Sequence, residues 1–274
     1  MARTPLASTT VREALESAAI ALTAAGCDTP RLDAEVLLAH VLGADRAALI
    51  TDPGRELTPA QARAFMDAAR RRREREPVAY ITGVKGFRML DLAVDRRVLI
   101  PRPETEHVVE AALELPAGTR VVDVGTGSGA IALALKAERP DLVVFATDAS
   151  PDALAVARAN AARLGLEVAF AQGDLLAGVE ADAVVSNPPY VGDAEPVMPE
   201  VARFEPREAV FAGADALAVV RRLVAVAAAS RFVALEIGAG QADTVEALLR
   251  DAGFADVERV RDLAGIERVV VGRR

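Results

Sequence analysis

From Arg120 onward, short apolar runs alternate with longer segments whose apolar positions recur at helical spacing. The runs at 120–124, 142–147, 167–171, 182–187, 231–237, 256–261 and 267–272 predict strands, and helical periodicity fills 129–138, 151–164, 215–229 and 241–252. This alternation predicts an α/β fold with a mostly parallel, doubly wound sheet carrying helices on both faces. Too few residues separate the last two runs for a helical crossover, so one of them runs antiparallel. The sheet is expected to end in that antiparallel strand.

The region before it has a different pattern. Residues 1–77 read as helix throughout. Thr29-Pro30 and Thr58-Pro59 each offer a capping hydroxyl followed by proline at the first helical position. Gly26 and Gly43 suit helix ends, and Ala34, Leu37, Leu38, Val41 and Leu42 make one apolar face. Four or five short helices in a small bundle follow, with no catalytic apparatus among them, which suits a binding or positioning module. Residues 78–100 hold Gly83, Gly86 and alternating Leu90, Leu92 and Val94, the pattern of a hairpin linking the bundle to an α/β domain at 101–274.

Composition narrows the class. The 274 residues are 52% apolar and 26% charged, and no run approaches 18 uncharged apolar residues, so no membrane span is expected. The first residues, Met1-Ala2-Arg3-Thr4-Pro5, lack the apolar core of a signal peptide. One cysteine (Cys27) and two histidines (His40, His107) argue against a disulfide framework and a structural zinc site, and a cytoplasmic protein is the reading that results. The net charge is −8, and 11 basic and 11 acidic residues balance within 1–77, so the acidic excess lies in the remainder. That balance argues against a grip on long nucleic acid, which relies on basic contacts to phosphate. The run Arg70-Arg71-Arg72-Arg73-Glu74-Arg75 reads as a solvated helix end favoured by the helix dipole. Oligomeric state is not legible, and a monomer is the default.

Two clusters carry chemistry. Val121-Val122-Asp123-Val124-Gly125-Thr126-Gly127-Ser128-Gly129-Ala130 is a strand, a glycine turn and a helix start. Its G-x-G-x-G spacing, with an acid two residues before the first glycine, departs from the G-x-G-x-x-G of pyrophosphate sites. Asp123 would repel a pyrophosphate but can pair with an ammonium group, so the cofactor expected is S-adenosylmethionine, leaving S-adenosylhomocysteine. Asp148, closing the second strand, suits the ribose hydroxyls. Asp174 suits the adenine amino group, with Leu175 packing on the ring, although a plain turn aspartate reads equally well.

The second cluster is Asn187-Pro188-Pro189-Tyr190, where a strand opens into a loop. Two prolines remove local N–H donors and hold the preceding residues extended. The Asn187 side chain and the Pro188 carbonyl thereby become a fixed pair of acceptors beside an aromatic face, suited to a planar NH2 group. Chemistry at an amide or amino nitrogen is the expectation. As such a nitrogen accepts a methyl group it becomes cationic, and the two acceptors bind it more tightly in the transition state than in the ground state.

On these residues the chain resembles the HemK-like protein-(glutamine-N5) methyltransferases of peptide-chain release factors. Further matches are Pro77-x-x-Tyr80-x-x-Gly83, the segment Leu99 to Glu106 with its P-R-P-E-T-E, Glu205-Pro206-Arg207, Leu235-Glu236-Ile237-Gly238 and Arg261-Asp262-Leu263-Ala264-Gly265. The tetrad by itself is shared with adenine-N6 DNA and guanine-N2 RNA methyltransferases; its combination with P-R-P-E-T-E and a helical bundle is narrower. The resemblance implies a seven-stranded methyltransferase sheet, a helical domain docking the release factor, and a glutamine in a Gly-Gly-Gln loop as substrate. Asn187, Pro188 and Tyr190 would act in catalysis, and Pro189, Phe87 and Arg102 would complete the glutamine pocket. For Phe87 a hairpin residue packed between domains reads at least as well, and Arg102 and Glu104 equally suit a pair with each other or a cap on the helix that follows. Glu236 faces the cleft or joins an internal ion pair, and His107 reads as structural. Ala216 stands where the family usually has glycine, with little consequence expected.

Overall fold

A computed structural model describes residues 9–274. The chain divides into two compact units, the first ending at Gly83 and the second running from Val84 to Arg274.

The first unit is helical: α1 (Val11–Ala24), α2 (Pro30–Leu42), α3 (Arg46–Thr51), α4 (Pro59–Arg73) and α5 (Val78–Thr82). Leu15, Leu22, Leu37, Leu38, Leu49 and Phe65 form its core. Thr58 caps α4 through a reciprocal pair with Gln61, as its sequence implies. Thr29 does not cap α2; its hydroxyl donates to Asp33 Oδ1 instead. The basic run is not a uniformly solvated helix end. Arg72 is buried and donates to Asp33 Oδ2 at 2.7 Å, tying α4 to α2, while Arg71 pairs with Glu76. The boundary expected at 77 falls at Gly83, where a φ of 75° closes α5.

The second unit opens with the antiparallel hairpin β1 (Val84–Phe87) and β2 (Leu90–Ala93). A 3-10 turn at Pro103–Thr105 leads into α6 (Glu106–Ala112). Then come β3 (Arg120–Val124), α7 (Ala130–Glu138), β4 (Val143–Asp148), α8 (Pro151–Leu164), β5 (Ala169–Gln172) and β6 (Ala183–Ser186). The short β7 (Val191–Gly192), α9 (Pro199–Phe204), α10 (Arg207–Val210) and β8 (Phe211–Gly213) follow, and β7 pairs parallel with β8. The unit finishes with α11 (Ala218–Val226), β9 (Phe232–Glu236), α12 (Ala242–Asp251), β10 (Asp256–Arg261) and β11 (Glu267–Arg273).

The main sheet has seven strands in the order β10-β11-β9-β6-β3-β4-β5. Strands β5, β4, β3, β6 and β9 are mutually parallel, and β11 runs antiparallel to β9. The sheet does not end in its antiparallel strand, contrary to the expectation from sequence, because β10 takes the edge beyond β11. The composition explains the order. Val269, Val270 and Val271 of β11 are fully buried, whereas β10 alternates charged and half-buried residues, which protects an exposed edge. One face is covered by α6, α7 and α8 and the other by α11 and α12, around separate apolar clusters. Among the described residues no helix is long and apolar enough to cross a membrane.

Candidate active site

The C-terminal ends of β3, β4, β6 and β9 meet at one edge of the sheet, the place where ligands bind in open α/β folds. A cavity of about 230 Å³ opens there, lined by Gly125, Gly127, Asp148, Leu175, Asn187, Pro188 and Pro189 among others. A larger hollow of about 540 Å³ lies at the other end of the strands, around Gly118, Asp182 and Arg231. Size therefore does not identify the site; the arrangement of polar groups does.

Beyond β3 the chain turns through Gly125, Gly127 and Gly129, with φ of 71°, 56° and 87°. The amides of Gly125 and Thr126 both donate to the Thr147 carbonyl, at 2.9 and 3.0 Å. Asp148 closes β4, its Oδ2 accepting from the Gly127 amide and its Oδ1 from the Ser150 amide, each at 2.9 Å. Burial raises its pKa, against these amide hydrogen bonds. The carboxylate is thus aimed by backbone, and its remaining lone pairs belong to the cavity wall.

The tetrad is anchored on both sides. Before it, Ser186 donates to the Val124 carbonyl at 2.6 Å; after it, Gln241 Nε2 donates to the Tyr190 carbonyl at 2.9 Å. Asn187 Nδ2 donates to Thr105 Oγ1 at 3.1 Å, and Thr105 in turn donates to Glu236 Oε2 at 2.5 Å. The Tyr190 hydroxyl donates to Glu236 Oε1 at 3.1 Å. Burial, above all, with the negative Glu236 beside it, pushes the Tyr190 phenol well above its ordinary range, so it stays protonated. Among the described residues, Asn187 Oδ1 and the Pro188 carbonyl accept no hydrogen bond. Two oxygens, one side-chain and one backbone, are left for a donor from outside.

Residues 13–83 match the PrmC N-terminal domain, and residues 105–205 match the methyltransferase small domain. The chain is 46% identical to a release factor glutamine methyltransferase of Koribacter versatilis, covering 97% of this chain and 99% of that one. A second, from Deinococcus radiodurans, is 45% identical over 96% and 98% of the two chains. This chain belongs to the release factor glutamine methyltransferase family. Solved structures share its fold at low identity. A methyltransferase from Pyrococcus furiosus has a TM-score of 0.52 at 18% identity, covering 67% of this chain and 88% of that one. The hMettl16 catalytic domain in complex with the MAT2A 3'UTR hairpin 6 has a TM-score of 0.55 at 17% identity, covering 80% and 84%.

As a family member the chain is an S-adenosylmethionine-dependent methyltransferase, and the residues present suit that cofactor. The cavity wall carries Asp148, Asp174 and Glu208 against Arg97 and Arg222, and with Asp174 held by Arg222 it is Asp148 and Glu208 that favour a cationic ligand; Gly125 and Gly127 leave the loop without side chains where a ligand approaches. Asp148 would hold the ribose hydroxyls.

Other residues expected at the cofactor stand elsewhere. Asp123, Thr126, Ser128 and Gly129 do not line the cavity; all four are buried beneath it. Asp123 Oδ2 accepts from Thr126 Oγ1 at 2.6 Å and from the Ala132 amide at 3.1 Å, so it fastens the loop to α7. Burial pushes its pKa up to about 7. Its Oδ1 is fully enclosed and accepts no hydrogen bond. Gly129 serves packing, since a Cβ there would lie 2.8 Å from Leu133 Cδ1. Asp174 and Leu175 do reach the cavity, but the Asp174 carboxylate pairs with Arg222 at an exposed rim.

The expected glutamine pocket also changes. Phe87 is 1% exposed and packs in the core with Leu92 and Val108, because alternation along β1 turns it inward. It is a packing residue. Arg102 donates to Glu205 Oε1 at 2.6 Å, not to Glu104. Glu236 forms no ion pair among the described residues. It is the hub of the hydrogen bonds around the tetrad, together with Thr105, whose part the sequence did not reveal. The available signal was an acid closing a strand of otherwise apolar, buried residues, which requires partners from elsewhere in the chain.

Proposed function

We propose that this protein methylates the side-chain amide nitrogen of the glutamine in the Gly-Gly-Gln loop of peptide-chain release factors, in the cytoplasm. One observation carries the reading: the free pair of acceptors, Asn187 Oδ1 and the Pro188 carbonyl, at the cavity that Gly125, Gly127 and Asp148 also line. A primary amide brings two hydrogens on one nitrogen, matching two acceptors. The family membership supports the substrate class, since the relatives are named for release factor glutamine.

S-adenosylmethionine supplies an electrophilic methyl group on a sulfonium. The chain's own residues do the rest. Asn187 and Pro188 accept the two amide hydrogens and turn the nitrogen toward the cavity. As positive charge builds on that nitrogen, hydrogen bonds to it strengthen from about 1 kcal/mol each to about 1.5–3 kcal/mol, which lowers the barrier selectively. The larger part comes from alignment, because an oriented pair of reactants avoids the entropy of encounter. Tyr190 does not line the cavity itself; held by Glu236 through its hydroxyl and by Gln241 at its carbonyl, it fixes the end of the tetrad that carries the two acceptors. No strong base is needed, since the proton can leave to solvent after transfer.

The test is mass spectrometry of an intact release factor incubated with the protein and the methyl donor. The expected result is one methyl on the loop glutamine. A methyl on another residue of the factor, or none with transfer to nucleic acid instead, overturns the reading.

A further inference from the structure

We infer that Thr105 and Glu236 are positioning residues that determine which end of the Asn187 side-chain amide faces the substrate. The inference rests on the reading of Asn187 as an acceptor for a substrate NH2 group.

The argument is a count of hydrogens. An ionised Glu236 can only accept, and its two oxygens face two hydroxyls, Tyr190 at 3.1 Å and Thr105 at 2.5 Å. Thr105 has one hydroxyl hydrogen, which this contact uses. Its oxygen can therefore meet Asn187 only as an acceptor, and the atom 3.1 Å away has to be the NH2 end of the amide. Turning the amide over would set Oδ1 against Thr105 Oγ1 with no hydrogen between them. The carboxylate thus acts through Thr105 to keep Oδ1 on the cavity side. Protonation of Glu236 removes the constraint. A hydrogen on Oε2 lets Thr105 receive from Glu236 and donate to Asn187, and the amide can then present the wrong end, NH2 against NH2.

The surroundings of Glu236 put the loss of this constraint close to neutral pH, with the orientation held on the alkaline side. Thr105 and Glu104 approach from the 3-10 turn, Arg102 from just before it, and Tyr190 from the tetrad; Arg268 of β11 faces Tyr190. Burial and, after it, Glu104 favour the neutral acid, whereas Thr105, Tyr190 and Arg102 favour the carboxylate, with the balance at about 7.

The experiment uses the full chain with Thr105→Val, Thr105→Ser and Glu236→Gln variants. Thr105→Val should lower kcat about tenfold to a hundredfold while KM for the release factor and calorimetric affinity for S-adenosylmethionine change by less than about threefold. Thr105→Ser, which keeps the hydroxyl, should restore most of the rate. The wild-type rate should fall on the acid side with an apparent pKa near 7, and Glu236→Gln should be slow at every pH, without that limb. A further arm needs no substrate: the Asn187 side-chain amide resonances of the free protein should titrate with Glu236 and lose that titration in Glu236→Gln. A Thr105→Val enzyme with normal kcat, or Asn187 resonances indifferent to both variants, overturns the inference. Failure of the wild type to methylate the release factor overturns the functional reading instead, and the resonance arm still decides the orientation.

Discussion

Arg102 meets Glu205 at 2.6 Å across 103 positions of sequence, and the two sit at unequal depth: the glutamate side chain is 1% exposed and the arginine 30%. Glu205 Oε2 also accepts from the Ile100 amide at 3.3 Å, so the pair fastens the segment carrying Thr105 against the loop that follows the tetrad. Removing the arginine strands a buried carboxylate. Arg102→Ala should cost about 3 kcal/mol of stability, and Arg102→Lys distinctly less, in urea titrations of the intact chain. Equal losses in the two variants would mean that the pair matters for shape and not for charge.

Gly129 and Gly127 separate packing from ligand access. Gly129→Ala pushes a methyl to within 2.8 Å of Leu133 Cδ1 at a φ of 87°, and should lower stability by about 2–4 kcal/mol. Gly127→Ala meets no atom within 4 Å, so only its φ of 56° is strained, at about 1–2 kcal/mol. Because Gly127 lines the cavity and Gly129 does not, calorimetry should find weakened cofactor binding in Gly127→Ala, beyond what lost stability explains.

Stability should depend on pH in an unusual direction. Burial raises Asp123 from 3.8 and Glu236 from 4.5 to about 7. Between about pH 4 and 7 the folded state therefore holds protons that the unfolded chain releases. Stability contributed by these groups is complete below their unfolded values and is lost as pH rises through 7, at about 1.4 kcal/mol per unit for each group. The melting temperature of the cofactor-free protein should fall between pH 5 and pH 8, and Asp123→Asn should flatten the decline. A melting temperature that rises over this range would contradict the assignment.

Asn187 offers the sharpest kinetic test. Asn187→Ala removes one acceptor and should reduce kcat by about a hundredfold to a thousandfold, with cofactor affinity nearly unchanged. Asn187→Asp keeps an oxygen toward the cavity but sets its other oxygen against Thr105, whose hydrogen is committed to Glu236. It should be impaired as well, and least so at low pH. Single-turnover rates across pH distinguish the two variants.

What the sequence made legible was local. Strand and helix order followed from periodicity, and the tetrad announced itself because Asn-Pro-Pro constrains its own backbone. What it hid was contact between distant segments. Thr105 and Glu236 lie 131 positions apart, and nothing in either neighbourhood names the other. Arg72 is indistinguishable in sequence from its neighbouring arginines, and only the fold sets it against Asp33. Phe87 left two readings open, pocket or packing, because one residue of strand register decides whether an aromatic ring faces outward or fills a core; in the fold it is buried. The place of β11 inside the sheet likewise depended on which strand could tolerate an open edge.

The two unsatisfied oxygens of Asn187 and Pro188 also bear on how the reaction stops. A primary amide meets them with a hydrogen for each, but a nitrogen that already carries a methyl has one hydrogen left, and the methyl would press against the other oxygen. On the proposed reading the finished product would be a poorer guest than the starting material, so the clamp would discharge it and resist a second round. Monomethylation would follow from counting hydrogens at a rigid surface, without any gate or proofreading step.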